Sequence, residues 1–198
     1  MNKSLSNLTR IFSVLLIGSF LTAPITGKAQ LKYYGQALDV SIKGTSTLHD
    51  WEIKSDKGQV EALVSVNKDK VSFTALSFSV PATSLKSGHN AMDKNTYKAL
   101  NVDKNPNISF VLSSANVTPV DANTYQFKGV GNLTIAGATR QTDLTAVCKY
   151  NPADKSFTCT GTKKFKMTDY NVKPPTVMLG TIKTGDEISI SYNVKIKS

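Results

Sequence analysis

The sequence predicts an all-β protein: an antiparallel barrel of eight strands with one short helix. Three observations carry this. Period-2 alternation of apolar and polar residues recurs from Gln30 to the C-terminus, the pattern of strands with one face inside and one in water. Gly, Pro, Asn and Asp punctuate the runs, as turns between strands require. Residues 90–100 (NAMDKNTYKAL) alone lack alternation and place Met92, Tyr97 and Leu100 within helical reach. Runs of roughly eight to eleven residues favour a closed barrel over a sandwich, because closure removes exposed edges.

The elements follow in order. Leu38, Val40 and Ile42 alternate against Asp39, Ser41 and Lys43. The next runs are 47–54 and 59–66, joined by a turn at 55–58. A fourth run, 71–80, is entered through the turn Asn67-Lys68-Asp69-Lys70. After the helix, Asn101 to Pro106 is a breaker segment. Ile108, Phe110 and Leu112 share a face of the run 107–117. In 125–135, Tyr125, Phe127, Leu133 and Ile135 share a face with Gly129 and Gly131 between them. Glycines there predict a bend, a bulge or a close approach, and their small size suggests space inside the barrel. Runs 141–150 and 156–167 follow. The last strand is the clearest: Ile188, Ile190, Tyr192, Val194 and Ile196 fall on one face, and polar or charged residues on the other.

The chain has 198 residues and a formal charge of +10. Its first residues are basic, Ile11 to Ala23 is apolar and uncharged, and Gly27-Lys28-Ala29 supplies small residues where a signal peptidase reads. This order predicts a cleaved signal peptide over 1–29, one domain over 30–198 and a periplasmic location. The apolar run is shorter than the ~20 residues of a spanning helix. Cleavage removes Lys3, Arg10 and Lys28 and leaves +7. Arg140 is then the single arginine, and the lysines are scattered, which argues against nucleic-acid binding. The surplus fits transient contact with an anionic membrane surface, although solubility alone explains it equally.

Cys148 and Cys159 flank the turn sequence Asn151-Pro152-Ala153-Asp154. A hairpin centred on Ala153 and Asp154 pairs Tyr150 with Phe157 and Cys148 with Cys159. Directly opposed cysteines lie within disulfide reach, and an exported protein meets oxidising conditions. The CxxC spacing of thiol redox sites is absent.

Neither a nucleophile elbow, a phosphate-binding loop nor a zinc-protease helix motif occurs. His49-Asp50-Trp51 is the nearest approach to a catalytic cluster. On a strand, His49 and Asp50 point to opposite faces, so His49 reads as a rim histidine beside a packed Trp51. Two histidines and two cysteines leave little for a metal site. No enzyme, metal or cofactor is predicted.

The stretch Ser84 to Phe110, with Asp103, Pro106, Ile108 and Phe110, resembles the central motif of the YceI-like family. Gly129-Val130-Gly131-Asn132-Leu133-Thr134-Ile135-Ala136-Gly137-Ala138-Thr139-Arg140 resembles a hairpin of that family. Met167-Thr168-Asp169-Tyr170-Asn171 stands where the family has an R-x-D-(F/Y)-G element, and Gly185-Asp186-Glu187 precedes the closing strand as in the family. The resemblance runs from Tyr34 to the C-terminus. It departs at Leu38 to Trp51, where the family's histidine-bearing first strand is replaced, so the chain resembles a divergent branch.

The resemblance implies an extended, lipocalin-like barrel around an apolar tunnel, exported to the periplasm and without catalytic residues. It implies an isoprenoid, quinone-type or other amphipathic lipid as ligand. The expected tunnel lining is Phe73, Phe110, Leu112, Phe127, Leu133, Ile135, Ile188, Ile190 and Tyr192. His89, Met92, Tyr97 and Met178 are expected near the mouth. The same apolar residues suit a solid core, so a structural or stress-related interaction protein with a filled barrel is the competing reading. An enzyme acting through His49 or His89 is a third. Either a monomer or a homodimer fits.

Overall fold

The structure, a computed structural model, describes residues 30–67 and 70–198. The predicted leader at 1–29 and the centre of the expected turn at 67–70 lie outside the described residues. Ten strands form one antiparallel sheet: β1 (Leu31–Ser46), β2 (Trp51–Ser55), β3 (Gln59–Asn67), β4 (Lys70–Pro81), β5 (Asn107–Pro119), β6 (Thr124–Ile135), β7 (Ala138–Asn151), β8 (Ser156–Lys166), β9 (Thr176–Val177) and β10 (Ile182–Lys197). The one α-helix among the described residues, α1 (Asn90–Leu100), lies between β4 and β5.

Eight strands close a ring in the order β1-β3-β4-β5-β6-β7-β8-β10, because β1 pairs with β10. The expected eight-stranded barrel is therefore present. Closure brings Leu38 opposite Val194 and Ile42 opposite Ile190, so the apolar faces of the first and last strands meet inside. The short strands β2 and β9 flank the ring. The Leu31–Tyr34 end of β1 pairs with β3, and its Val40–Gly44 portion pairs with β2.

β1 and β10 are each 16 residues long, more than their alternation suggested. A register shift between Gly35 and Ala37 resets the phase of β1, so its two halves do not read as one period-2 run. The run expected at 47–54 shrinks to Trp51–Ser55 for a local reason. The Ser46 hydroxyl accepts N–H bonds from Leu48 and His49 at 3.2 and 3.1 Å and donates to the His49 carbonyl at 2.7 Å. This side-chain network replaces strand pairing with a turn. His49 therefore sits in that turn rather than on a strand beside Trp51.

Helix α1 has the predicted bounds. Its C-cap Asn101 is left-handed (φ 51°), and its N–H meets the Lys98 carbonyl, a common helix stop. The start is held from outside the helix. Asp93 is 7% exposed, and its carboxylate accepts from the Ser87 hydroxyl at 2.7 Å and the Ser87 N–H at 2.8 Å. The Ser87 hydroxyl, then the Ser87 N–H, hold the Asp93 carboxyl below the usual carboxylate range. A lowered folded-state pKa stabilises above the unfolded value of ~3.9, and that contribution fades as pH falls through the folded value. Asp93→Asn is expected to cost about 1–2 kcal/mol near neutrality. Thermal melts of both proteins across the acid range should show the gap closing below about pH 4.

The β6–β7 hairpin turns at Ala136 (φ 49°) and Gly137 (φ 81°), with Ile135 paired to Ala138. Two positive φ values mark the type I′ turn that matches strand twist. Cys148 pairs with Cys159 and Tyr150 with Phe157 in the expected register, and the two sulfurs are bonded. A closed loop of about ten residues contributes about 2–3 kcal/mol. Reduction under native conditions should lower the melting temperature by about 5–10 °C; an unchanged melt would show that the bond constrains nothing.

The interior holds two apolar clusters. One surrounds Tyr33, Phe73, Tyr125, Phe157 and Ile196. The other surrounds Ile42, Leu85, Leu100, Phe110, Tyr170 and Val172, below α1. Gly129 and Gly131 mark the expected close approach but do not open free space. A Cβ at Gly129 would strike the Phe127 ring, and one at Gly131 would strike the Phe110 ring and the Val111 carbonyl. The room these glycines give is taken by neighbouring aromatics.

Candidate functional site: two apolar chambers and a polar vestibule

The barrel interior is not fully packed. An inner chamber of about 120 Å³ is lined by carbon from nearly every ring strand. Phe73, Phe127, Leu133, Ile135, Ile190 and Tyr192 all reach it. Its polar contributors are satisfied away from the space. The Tyr192 hydroxyl donates to the Thr145 carbonyl at 2.8 Å. Burial pushes the Tyr192 phenol up to about 12, so it stays neutral at physiological pH. Lys163 lends its stem, while its ammonium meets Asp143 at 2.6 Å. A void walled by hydrocarbon stays dry and takes apolar guests; a cavity of ~150 Å³ of this kind binds benzene.

An outer chamber of about 490 Å³ lies toward α1. The helix supplies Met92, Thr96 and Leu100, and the strands supply Trp51, Phe165 and Ile188. Ile42, Leu85, Ile108, Ile135, Phe165 and Ile190 line both chambers and form the neck between them. A third, polar recess of about 390 Å³ adjoins the outer chamber through His49, Trp51, His89 and Met92. Lys54, Lys86, Glu52 and Asp50 also line it. Glu52 is ion-paired to Lys54 at 2.9 Å. The Lys86 ammonium donates to the Tyr97 hydroxyl at 2.6 Å, which keeps it on the charged side. The arrangement is amphipathic: hydrocarbon walls inside, lysines and histidines in the adjoining recess.

Most of the residues expected in the tunnel are therefore together, but not all. Ile188 lines the outer chamber only. Phe110 and Leu112 line neither chamber. Phe110 is fully buried and stacks on Phe78 with centroids 5.4 Å apart; it is wall, not lining. Of the residues expected at the mouth, His89 and Met92 line both the outer chamber and the polar recess. Tyr97 does not reach the chamber. Its hydroxyl lies 2.8 and 2.9 Å from the Thr83 and Leu85 carbonyls and anchors the segment before the helix. Met178 is 72% exposed and faces solvent.

Sequence reading missed Phe165, Tyr170 and Ile108 as lining residues. Phe165 was accessible to it, because it shares the period-2 face of Phe157 and Lys163 on β8. Tyr170 was not, since it sits in a 3₁₀ turn, Met167–Tyr170. The His49 ring nitrogen Nδ1 donates to the Asp50 backbone carbonyl at 2.6 Å rather than to a carboxylate. Among the described residues no group of three His, Cys, Asp or Glu side chains is placed to hold a metal ion.

A family model described as the YceI-like domain matches residues 40–196. The chain belongs to the YceI-like family. Solved structures share the barrel. BcnA of Burkholderia cenocepacia superposes with a TM-score of 0.62 at 19% identity, covering 80% of this chain and 95% of that one. A polyisoprenoid binding domain from Saccharophagus degradans, implicated in plant cell wall breakdown, gives 0.61 at 10% identity over 84% and 98%. The Campylobacter jejuni YceI protein gives 0.54 at 18% over 72% and 84%. At these identities the likeness establishes the YceI-like fold. No curated protein sequence matches the chain significantly.

Proposed function

We propose that the protein is an exported, periplasmic carrier that holds an isoprenoid or another amphipathic lipid. The chain of the lipid would occupy the two chambers and its head group the polar vestibule. One observation carries this reading: apolar chambers joined by an apolar neck open beside a recess bearing Lys54 and Lys86. The name of the Saccharophagus relative as a polyisoprenoid binding domain supports it, as does membership of the YceI-like family. The leader pattern at 1–29 and the Cys148–Cys159 bond both suit export to an oxidising compartment. The role needs no catalytic group.

Each buried methylene contributes about 0.8 kcal/mol, so ten buried chain carbons supply about 8 kcal/mol gross, less the cost of ordering the chain. The competing filled-barrel reading draws on Gly129 and Gly131, whose space is taken by Phe127 and Phe110. Titration of the delipidated full chain with a fluorescent polyprenyl alcohol separates the two. Saturable one-to-one binding, displaced by a quinone-type lipid, is expected. Absence of saturable binding would sink the carrier reading and favour the filled barrel.

A further inference from the structure

The rim of the outer chamber carries apolar side chains that the described residues leave largely uncovered. Leu179 is 108% exposed, Met178 72% and Leu48 65%. They belong to two loops tied together: the Thr47 N–H donates to the Lys183 carbonyl at 3.0 Å, and the Thr47 hydroxyl to the Thr181 carbonyl at 3.3 Å. Met178 and Leu179 form the tip of the β9–β10 hairpin, in which Val177 pairs with Ile182. Behind the tip, Leu48, Val177 and Ile182 line the outer chamber. The exposed apolar surface is thus continuous with the chamber wall.

The tip backbone is unusual. Met178, Leu179 and Gly180 all have positive φ (50°, 55° and 90°), a region that residues other than glycine seldom enter. A strained turn that lifts two large apolar side chains out of the fold is poor design for a surface meant only for water. Charge indicates what the tip meets. From Val172 to Gly185 the chain carries Lys173 and Lys183, both exposed, and no acid. Beyond it, Asp186 is engaged by the Thr168 N–H and hydroxyl at 3.0 and 2.6 Å. Glu187 follows on β10, and Asp50 lies two residues after Leu48 in the neighbouring turn. Apolar side chains flanked by lysines are the chemistry of insertion into the interface of an anionic bilayer.

We infer that the Leu48–Met178–Leu179 rim docks the protein on anionic phospholipid membrane, with the mouth of the outer chamber facing the lipid. This rests on the carrier reading, because docking there would let a chain pass between bilayer and barrel without crossing water.

The test uses the full chain and variants that differ only at the tip, so residues 1–29 are the same in every comparison. In Leu179→Trp, the added indole reports the tip by difference from the parent protein, whose Trp51 lines the outer chamber. With vesicles containing about one-third phosphatidylglycerol, its emission should shift to the blue and be quenched by brominated acyl chains. Met178→Asp with Leu179→Asp should weaken vesicle binding at least about 10-fold without changing the thermal melt. Lys173→Glu with Lys183→Glu should weaken it about 10-fold or more in low salt. Binding of a polyprenyl alcohol delivered from cyclodextrin should be unchanged in all of them. An unshifted, unquenched tip indole would overturn the inference while leaving the carrier reading intact. So would tip-dependent self-association seen by sedimentation without vesicles, since a second copy would then be the occupant. Vesicle docking without any prenyl binding would instead uphold the docking surface and overturn the carrier reading.

Discussion

Ile190→Trp is expected to weaken binding of a long isoprenoid chain by at least about 100-fold while leaving the barrel folded. Ile190 faces inward on β10 opposite Ile42 and belongs to the neck shared by both chambers. It is only partly covered, because one side looks into open space. An indole there enters that space, so the stability cost should stay at about 1–3 kcal/mol. It closes the inner chamber to the chain. Excluding about five carbons forfeits about 4 kcal/mol of gross transfer energy, and reorganisation reduces that to the stated effect. A short amphiphile that fits the outer chamber should keep its affinity within about threefold. Titration of both proteins with a long and a short prenyl alcohol reads this directly. Equal weakening for both ligands would show that the chambers do not act as one path.

Phe157→Ala is expected to cost about 3–5 kcal/mol of stability. Phe157 is fully buried at the centre of an aromatic group. Its centroid lies 4.7 Å from Tyr150, 5.5 Å from Tyr33 and 5.7 Å from Phe73. Aromatic pairs in such tilted and edge-on arrangements add to the area they bury. Strands β1, β4, β7 and β8 converge on this one ring, so the neighbours cannot close the gap together. The melting temperature should fall by about 10 °C. Phe157 lines neither chamber, so ligand affinity should hold wherever the variant is folded. A loss below about 1 kcal/mol would mean that this end of the barrel is loosely packed.

Much of the barrel is written in local pattern. Helix 90–100, the inward face of β6 and the Cys148–Cys159 register all follow from periodicity and turn chemistry alone. The departures have specific causes. Ser46 diverts its backbone neighbours into a turn, and period-2 counting does not see that hydroxyl. Alternation also fixes which residues face inward but not whether the space among them is filled. That is why Gly129 and Gly131 suggested room, whereas Phe127 and Phe110 occupy it. The true chambers lie among side chains that the ring strands and α1 contribute together, a consequence of closure across the whole ring. Tyr97 and Met178 illustrate the same limit at the mouth. Sequence places each near the rim, yet one is held by backbone carbonyls and the other is turned outward by three successive positive φ values.

Native mass spectrometry of the protein purified without detergent, followed by organic extraction, reads whether the barrel carries a lipid. One prenyl-type or other long-chain amphipathic lipid per chain is expected, depleted in Ile190→Trp. A lipid-free mass for the wild type, together with failure to take up added polyprenyl lipid, would contradict the carrier reading.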